Sequence, residues 1–271
     1  MRTLRPTPAA LAWCVAAPLL ALALAAIVAP FAWRSGSALL GCWHEGGCAE
    51  VLQPYYLDAL RNTVLVSALS TLLALPPALV VCAAVAPRAR LRGPVAWLAN
   101  LGANFAGVPL ALAFTLLFGV EGVATQLLGF APLRLEGFSG LLAAYLCFQL
   151  PLATLLLLAP VALLDAQLEA AAATLGASRA HYWRRVALPL LAPSLVEVAV
   201  LLFANAAAAF ATPFALAGGS ASVLAVRLSS LVSGDLFADP RLPALLALML
   251  FALLASVLLA GRWLGRRVAA A

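Results

Sequence analysis

The stretch that decides the fold runs from Leu168 to Pro189: LEAAAATLGASRAHYWRRVALP. It is a polar interruption between two long apolar runs. Asp165, just upstream, is placed to cap a short helix by accepting from its first amides. Glu169 adds negative charge at the same positive helix end. Ala170 to Ala173 are strong helix formers, and Gly176 suits the left-handed residue that stops a helix. The spacing predicts a first helix of about ten residues, about 15 Å long. Ser178 then caps a second helix carrying Arg179, His181, Tyr182, Trp183, Arg184 and Arg185. Leu188-Pro189 starts the next apolar run, where a proline nitrogen needs no hydrogen. A plain amphipathic connector on a membrane surface has the same gross composition.

The surroundings are those of a membrane protein. Of 271 residues, 65% are hydrophobic and 10% charged, more apolar surface than a soluble domain can hide. Six apolar segments are long enough to cross about 30 Å of hydrocarbon as helices. They fall near 10–33, 61–86, 95–119, 139–164, 190–216 and 242–264. The first follows Arg2 and Arg5 but is long for the core of a secretion signal, and Trp13 and Trp33 suit its two interfaces, so it reads as a retained helix. The expected class is therefore an all-α integral membrane protein with six transmembrane helices.

Charge placement orients it. All 16 basic residues are arginine. With both termini inside, Arg2, Arg5, Arg88, Arg90, Arg92, Arg179, Arg184, Arg185, Arg262, Arg266 and Arg267 lie on the cytoplasmic side. Arg34, Arg61, Arg134, Arg227 and Arg241 lie outside. The excess inside follows the positive-inside rule and puts the 165–189 loop in the cytoplasm. The lack of lysine excludes a phosphate-loop ATPase and Schiff-base chemistry in this chain. Pro76-Pro77, Pro109, Pro151, Pro160 and Pro213 are expected to interrupt or kink helices.

On these residues the loop resembles the EAA loop of binding-protein-dependent ABC importer permeases. In that pattern a glycine is followed by nine residues, an aliphatic residue, one more, and Leu-Pro. Gly176, Val186, Leu188 and Pro189 match it, and the loop lies between spans four and five of six, as in the family. One departure stands out. The family's glutamate lies six residues before the glycine, where this chain has Ala170, and Glu169 lies seven before. The two positions differ by about 100° around a helix. Weaker likenesses are Leu60-Arg61-Asn62-Thr63, Phe148-Gln149-Leu150-Pro151, Ala209-Phe210-Ala211-Thr212-Pro213 and Ala217-Gly218-Gly219. The last two resemble the subgroup serving polyamines, ferric iron, phosphonates and thiamine.

The resemblance implies a type I ABC importer permease (MetI-like) fold in a bacterial inner membrane. Residues 1–57 would form an N-terminal helix and periplasmic loop, and 58–271 the transmembrane core with its coupling loop at 165–189. Glu169, Ala170, Ala171, Gly176, Arg179, Leu188 and Pro189 would form the ATPase-coupling segment. The implied partners are a second permease, the same or different, two ABC ATPase subunits and a periplasmic solute-binding protein, all in membrane lipid and without nucleic acid. ATP and Mg would be bound by the ATPase, leaving this chain with no cofactor and no enzymatic activity. The solute reading leans to the polyamine type (spermidine or putrescine), with ferric iron, phosphonate or thiamine as alternatives.

Intramembrane polar residues are the other candidates. Glu197 is a carboxylate within span five, a functional position by default. It either lines the solute pathway, favouring a cation, or pairs with Arg184, Arg185 or a neighbouring helix. Gln149 and Asn205 are pathway candidates that serve equally as interhelical hydrogen-bonding groups, as do Asn100 and Asn104. Cys42 and Cys48 flank a short outer-loop segment and are a disulfide candidate in an oxidising periplasm. No metal site is expected, because a full ligand set is missing, and His44 and His181, on opposite sides of the membrane, cannot form a joint catalytic site. An ion-coupled secondary transporter and a membrane-embedded enzyme remain rival classes.

Overall fold

The computed structural model describes residues 8–45, 51–119, 121–128, 135–164, 166–234 and 241–270. Among them the chain is helical, with no strand. Six helices are long and apolar enough to span a membrane: Ala17–Gly41, Pro54–Val85, Val108–Leu127, Phe138–Ala162, Arg179–Ala208 and Arg241–Arg267. The expected all-α, six-span class is what the structure has. The first lies within α1 (Pro8–Glu45) and the second is α2 (Pro54–Val85). Helices α3 (Ala89–Asn104), α4 (Val108–Phe118), α5 (Val123–Leu128) and α6 (Phe138–Ala162) follow.

The bundle is centred on α2 packed against α6, with α3 and α9 (Leu188–Ala208) on their flanks. Small residues make the close approaches. Ala74, Ala78, Ala144 and Ala153 are fully buried, which lets backbones come near one another in a medium that supplies little hydrophobic drive. Gly102 does the same for α3: a Cβ there would lie 2.8 Å from the Pro151 ring on α6. Larger side chains fill two layers. Leu157, Leu191, Val198 and Leu202 form one with Cys82, and Phe114, Tyr145 and Phe148 dominate the other with Val66.

Polar ties bind the helices across these layers. The Gln149 amide is fully buried and donates to Ser70 Oγ (3.1 Å) on α2 and to the Leu202 carbonyl (3.3 Å) on α9. Thr63 on α2 accepts from the Leu224 amide at 2.8 Å. That amide is the first of α11 (Leu224–Gly234), so a side chain from another helix satisfies a donor the helix itself leaves open. The Cys82 thiol donates to the Thr154 carbonyl at 3.3 Å.

Several expected boundaries are corrected. The span expected over 95–119 is broken. Residues 95–104 belong to α3, and α4 starts anew after Gly107, whose φ of +86° interrupts the helix. Pro109 sits in the first turn of α4. The span expected over 190–216 ends at Ala208, and Ala211–Ala217 form a separate α10. Thr212 joins the two breaks: its hydroxyl accepts from the Gly107 amide at 2.9 Å. Beyond α10, segments Ala211–Ser220 and Leu224–Ser233 meet at 68°, a bent pair beside the six spans. Pro76-Pro77, Pro151 and Pro160 do not interrupt α2 or α6, which run through them, as neighbouring groups in a bundle allow.

The first helix continues to Glu45, past Trp33 and through the segment expected to be an outer loop. Ser37 Oγ donates to the Arg34 carbonyl at 2.9 Å, and Ala38 packs on Leu245 of α12 (Arg241–Ala270). Phe31 meets Phe251 of α12 with centroids 5.8 Å apart. Helix α2 begins at Pro54, so the expected 57/58 boundary falls within its first turns. Cys42 is in the last turn of α1. Cys48 lies outside the described residues, and so therefore does the expected pair with Cys42.

Replacing Thr212 with Val leaves the Gly107 amide without its acceptor and is expected to destabilise the protein by about 1–3 kcal/mol. Thr115 bonds only to the carbonyl one turn back in its own helix, so Thr115→Val is expected to be near neutral. Thermal unfolding of both variants in detergent checks this; equal losses would contradict it.

Candidate functional site

The loop between α6 and α9 builds an arm. Helix α7 (Ala166–Thr174) has nine residues and is about 13 Å long. Asp165, its expected cap, lies outside the described residues. The C-terminal end closes as a Schellman turn. The Ala177 amide donates to the Ala172 carbonyl and the Gly176 amide to the Ala173 carbonyl, both at 3.0 Å. Gly176 takes φ +79°. No atom lies within 4 Å of a Cβ built there, so glycine is required by backbone conformation and not by crowding.

Ser178 then caps α8 (Arg179–Tyr182), accepting from the His181 amide at 3.3 Å. The chain continues through a π-helical turn, Trp183–Ala187, into α9. From Arg179 to Ala208 it is one helical rod. Tyr182 is buried at its foot and meets Trp183 edge-on, with ring centroids 6.3 Å apart. Trp183 packs against the core layer that contains Leu191. Leu188 is half-buried and Pro189 exposed in the first turn of α9. The rod is thus anchored in the bundle.

Helix α7 packs chiefly on α8. Ala170 and Ala171 are exposed. Leu163 and Leu175 beside it are 84% and 88% exposed, and Leu168 is 40% exposed. Glu169 meets Arg179 across the Gly176 turn, with Oε1 3.3 Å from Nε. Sequence reasoning placed both residues in the loop but did not foresee that they pair. Their separation depends on how sharply the turn folds, which spacing alone does not give.

The pathway candidates separate. Gln149 ties three helices and its amide is fully buried, whereas Asn205 and Glu197 are both exposed on α9, about 80° apart around its axis. They are eight residues apart, about 12 Å along the axis. Glu197 opens onto a groove of about 620 Å³ between α9 and α12, which Arg262 and Arg266 also line. Its basic neighbours there are on α12, and it forms no ion pair with Arg184 or Arg185. Gly261 permits the crossing beside the groove: a Cβ there would collide with the Val200 side chain. Asn100 and Asn104 bond to each other one turn apart.

A polar site missed in the sequence lies at the opposite end of α2. The Arg227 guanidinium stacks over Tyr55 at 4.2 Å and donates to the Gly219 carbonyl at 2.9 Å. It thereby holds the Gly218–Ser220 turn to the start of α2. Tyr55 and Arg227 are too distant in the chain for any local pattern to pair them.

No family model matches the chain. Individual proteins do. The thiamine transport system permease protein ThiP of Salmonella typhimurium is 30% identical over 260 residues, 92% of this chain and 46% of that protein. The putative ferric transport system permease protein FbpB 1 of Haemophilus influenzae is 28% identical over 163 residues, 58% of this chain and 26% of its own. The fold agrees: a chain from the crystal structure of a bacterial alginate ABC transporter, in complex with an alginate pentasaccharide-bound periplasmic protein, superposes with a TM-score of 0.74. The match covers 95% of each chain at 17% identity. The chain is similar to ABC importer permeases over most of its length and shares the fold of one. The chain spans about half the length of its thiamine relative. The family resemblance read from the loop and the membrane fold therefore agree with one another.

Substituting Gly176 with Ala forces a left-handed side-chain-bearing residue, at a cost of about 1–2 kcal/mol. The amides of Gly176 and Ala177 are expected to exchange hydrogen faster in that variant, by about five- to thirty-fold. Exchange mass spectrometry across 166–182 measures it; unchanged protection would mean that the turn does not depend on glycine.

Proposed function

We propose that the chain is one membrane-spanning subunit of an ATP-driven importer in a bacterial inner membrane. Its α7 arm is the docking element for an ATPase carried on another chain. The observation that carries this is the arm itself. Leu163 and Leu175 flank the α7 helix, one before its start and one after its end, and both are almost fully exposed; exposed apolar side chains among polar groups suit a protein interface. The arginine distribution puts that arm on the cytoplasmic side, where ATP is available.

A second membrane unit, the same or different, completes the pathway. Two ATPase subunits lie beneath the pair, and a periplasmic binding protein delivers the solute. ATP and Mg belong to the ATPase. ATPase closure moves the arm, and the continuous rod from Arg179 carries that motion into the membrane. The exposed α9 residues Asn205 and Glu197 border the solute route.

The solute we favour is thiamine, on the strength of the relative whose match covers most of this chain. Ferric iron is the second reading, supported by the shorter FbpB matches. Both solutes are cationic, which suits Glu197. The relatives found give the polyamine reading no support, and it gives way to these two.

Reconstitution with the ATPase and binding protein tests the proposal. Labelled thiamine uptake into proteoliposomes is expected to require ATP. Gly176→Val is expected to abolish uptake while hydrolysis continues, and Glu197→Gln to raise the thiamine concentration needed for half-maximal uptake. Uptake of radioactive iron in place of thiamine would select the second reading. ATP-independent uptake, or full transport by Gly176→Val, would overturn the coupling assignment.

A further inference from the structure

We infer that Glu169 is a positioning residue: it holds the α7 arm to the first turn of the α8–α9 rod through Arg179, and does not itself contact the ATPase. The inference rests on the importer reading above and assigns a role within the same arm. The carboxylate is already engaged, 3.3 Å from the Arg179 guanidinium. Its register explains why. Seven residues before Gly176, Glu169 is half-buried against the turn, while the next position, Ala170, is exposed. The family's glutamate position therefore points outward here and carries only a methyl group. The one-residue displacement turns the carboxylate by about 100°, from the docking face to the inner face.

Arg179 supplies the second argument. It stands at the start of a helical run that continues to Ala208, the end where the helix dipole disfavours a cation. A carboxylate from the arm offsets that unfavourable placement. The Gly176 turn joins the nine-residue arm to the rod at one point. The ion pair joins them at a second point, and two points constrain the angle between arm and rod. Exposed ion pairs contribute little to global stability, so the role assigned is orientation.

The test uses the complete complex with its ATPase and binding protein, reading both solute transported per ATP hydrolysed and the melting temperature. Glu169→Arg and Arg179→Glu, each alone, are expected to lower transport per ATP by about five-fold, the ratio set by ~1 kcal/mol. The ATPase should still co-purify and the melting temperature should hardly move. The double reversal, Glu169→Arg with Arg179→Glu, is expected to recover coupling to within about two-fold of the parent. A double variant as poor as Glu169→Arg alone would overturn the inference, since Glu169 would then act on another chain. A lowered melting temperature with unchanged coupling would reduce the pair to a structural contact and overturn it equally. No change in either reading would do the same. If Gly176→Val fails to uncouple transport, the importer reading itself falls; if it uncouples while the reversals have no effect, only the assignment of Glu169 falls.

Discussion

Everything in this bundle answers to one constraint: a backbone amide or carbonyl freed within apolar surroundings must find a partner. Continuous helices meet it internally. Among the described residues, helices break at Gly107 and at the Ala209-Phe210 step, and a threonine stands at the join. Thr212 takes the Gly107 amide, so the starts of α4 and α10 hold each other. Thr63 does the same for the first amide of α11. These bonds cost little side-chain entropy because a threonine has few rotamers. They also specify which elements lie together, a selectivity that apolar contact alone does not provide.

This explains which parts of the architecture were legible in the sequence. Six spans could be counted because hydropathy over about twenty residues is a strong signal. The ends of those spans could not be read, because a window that long averages away a single glycine. Gly107 and the Ala209-Phe210 step sit within apolar runs, and only the backbone angle at the first and the Thr212 hydroxyl reveal the break. Prolines misled in the opposite direction. Pro76, Pro77, Pro151 and Pro160 look like interruptions yet lie inside unbroken helices, where close neighbours compensate for the missing hydrogen bonds.

The candidate site divides along the same line. Gly176 and Ser178 were readable because their roles are local: one takes the left-handed conformation, and the other caps the next three residues. Glu169 with Arg179, Gln149 with Ser70, and Arg227 with Tyr55 were not, because each pair depends on a turn or a crossing that brings distant positions together. Glu197 was legible as an unusual carboxylate. Its setting beside Arg262 and Arg266 came only with the packing of α12 against α9.

The π-helical turn at Trp183–Ala187 has a geometric consequence. Such a turn holds one more residue than the α-helix around it, and each residue of an α-helix advances the phase by about 100°. The arm below and the span above are therefore clocked separately, though the backbone between them is continuous. The wide turn works as an indexing collar: it sets which face of α9 is presented upward for a given bearing of the arm below. If this turn tightened to α-helical winding, the line through Glu197 and Asn205 would rotate away from its present direction with no break in the rod and no displacement of its foot.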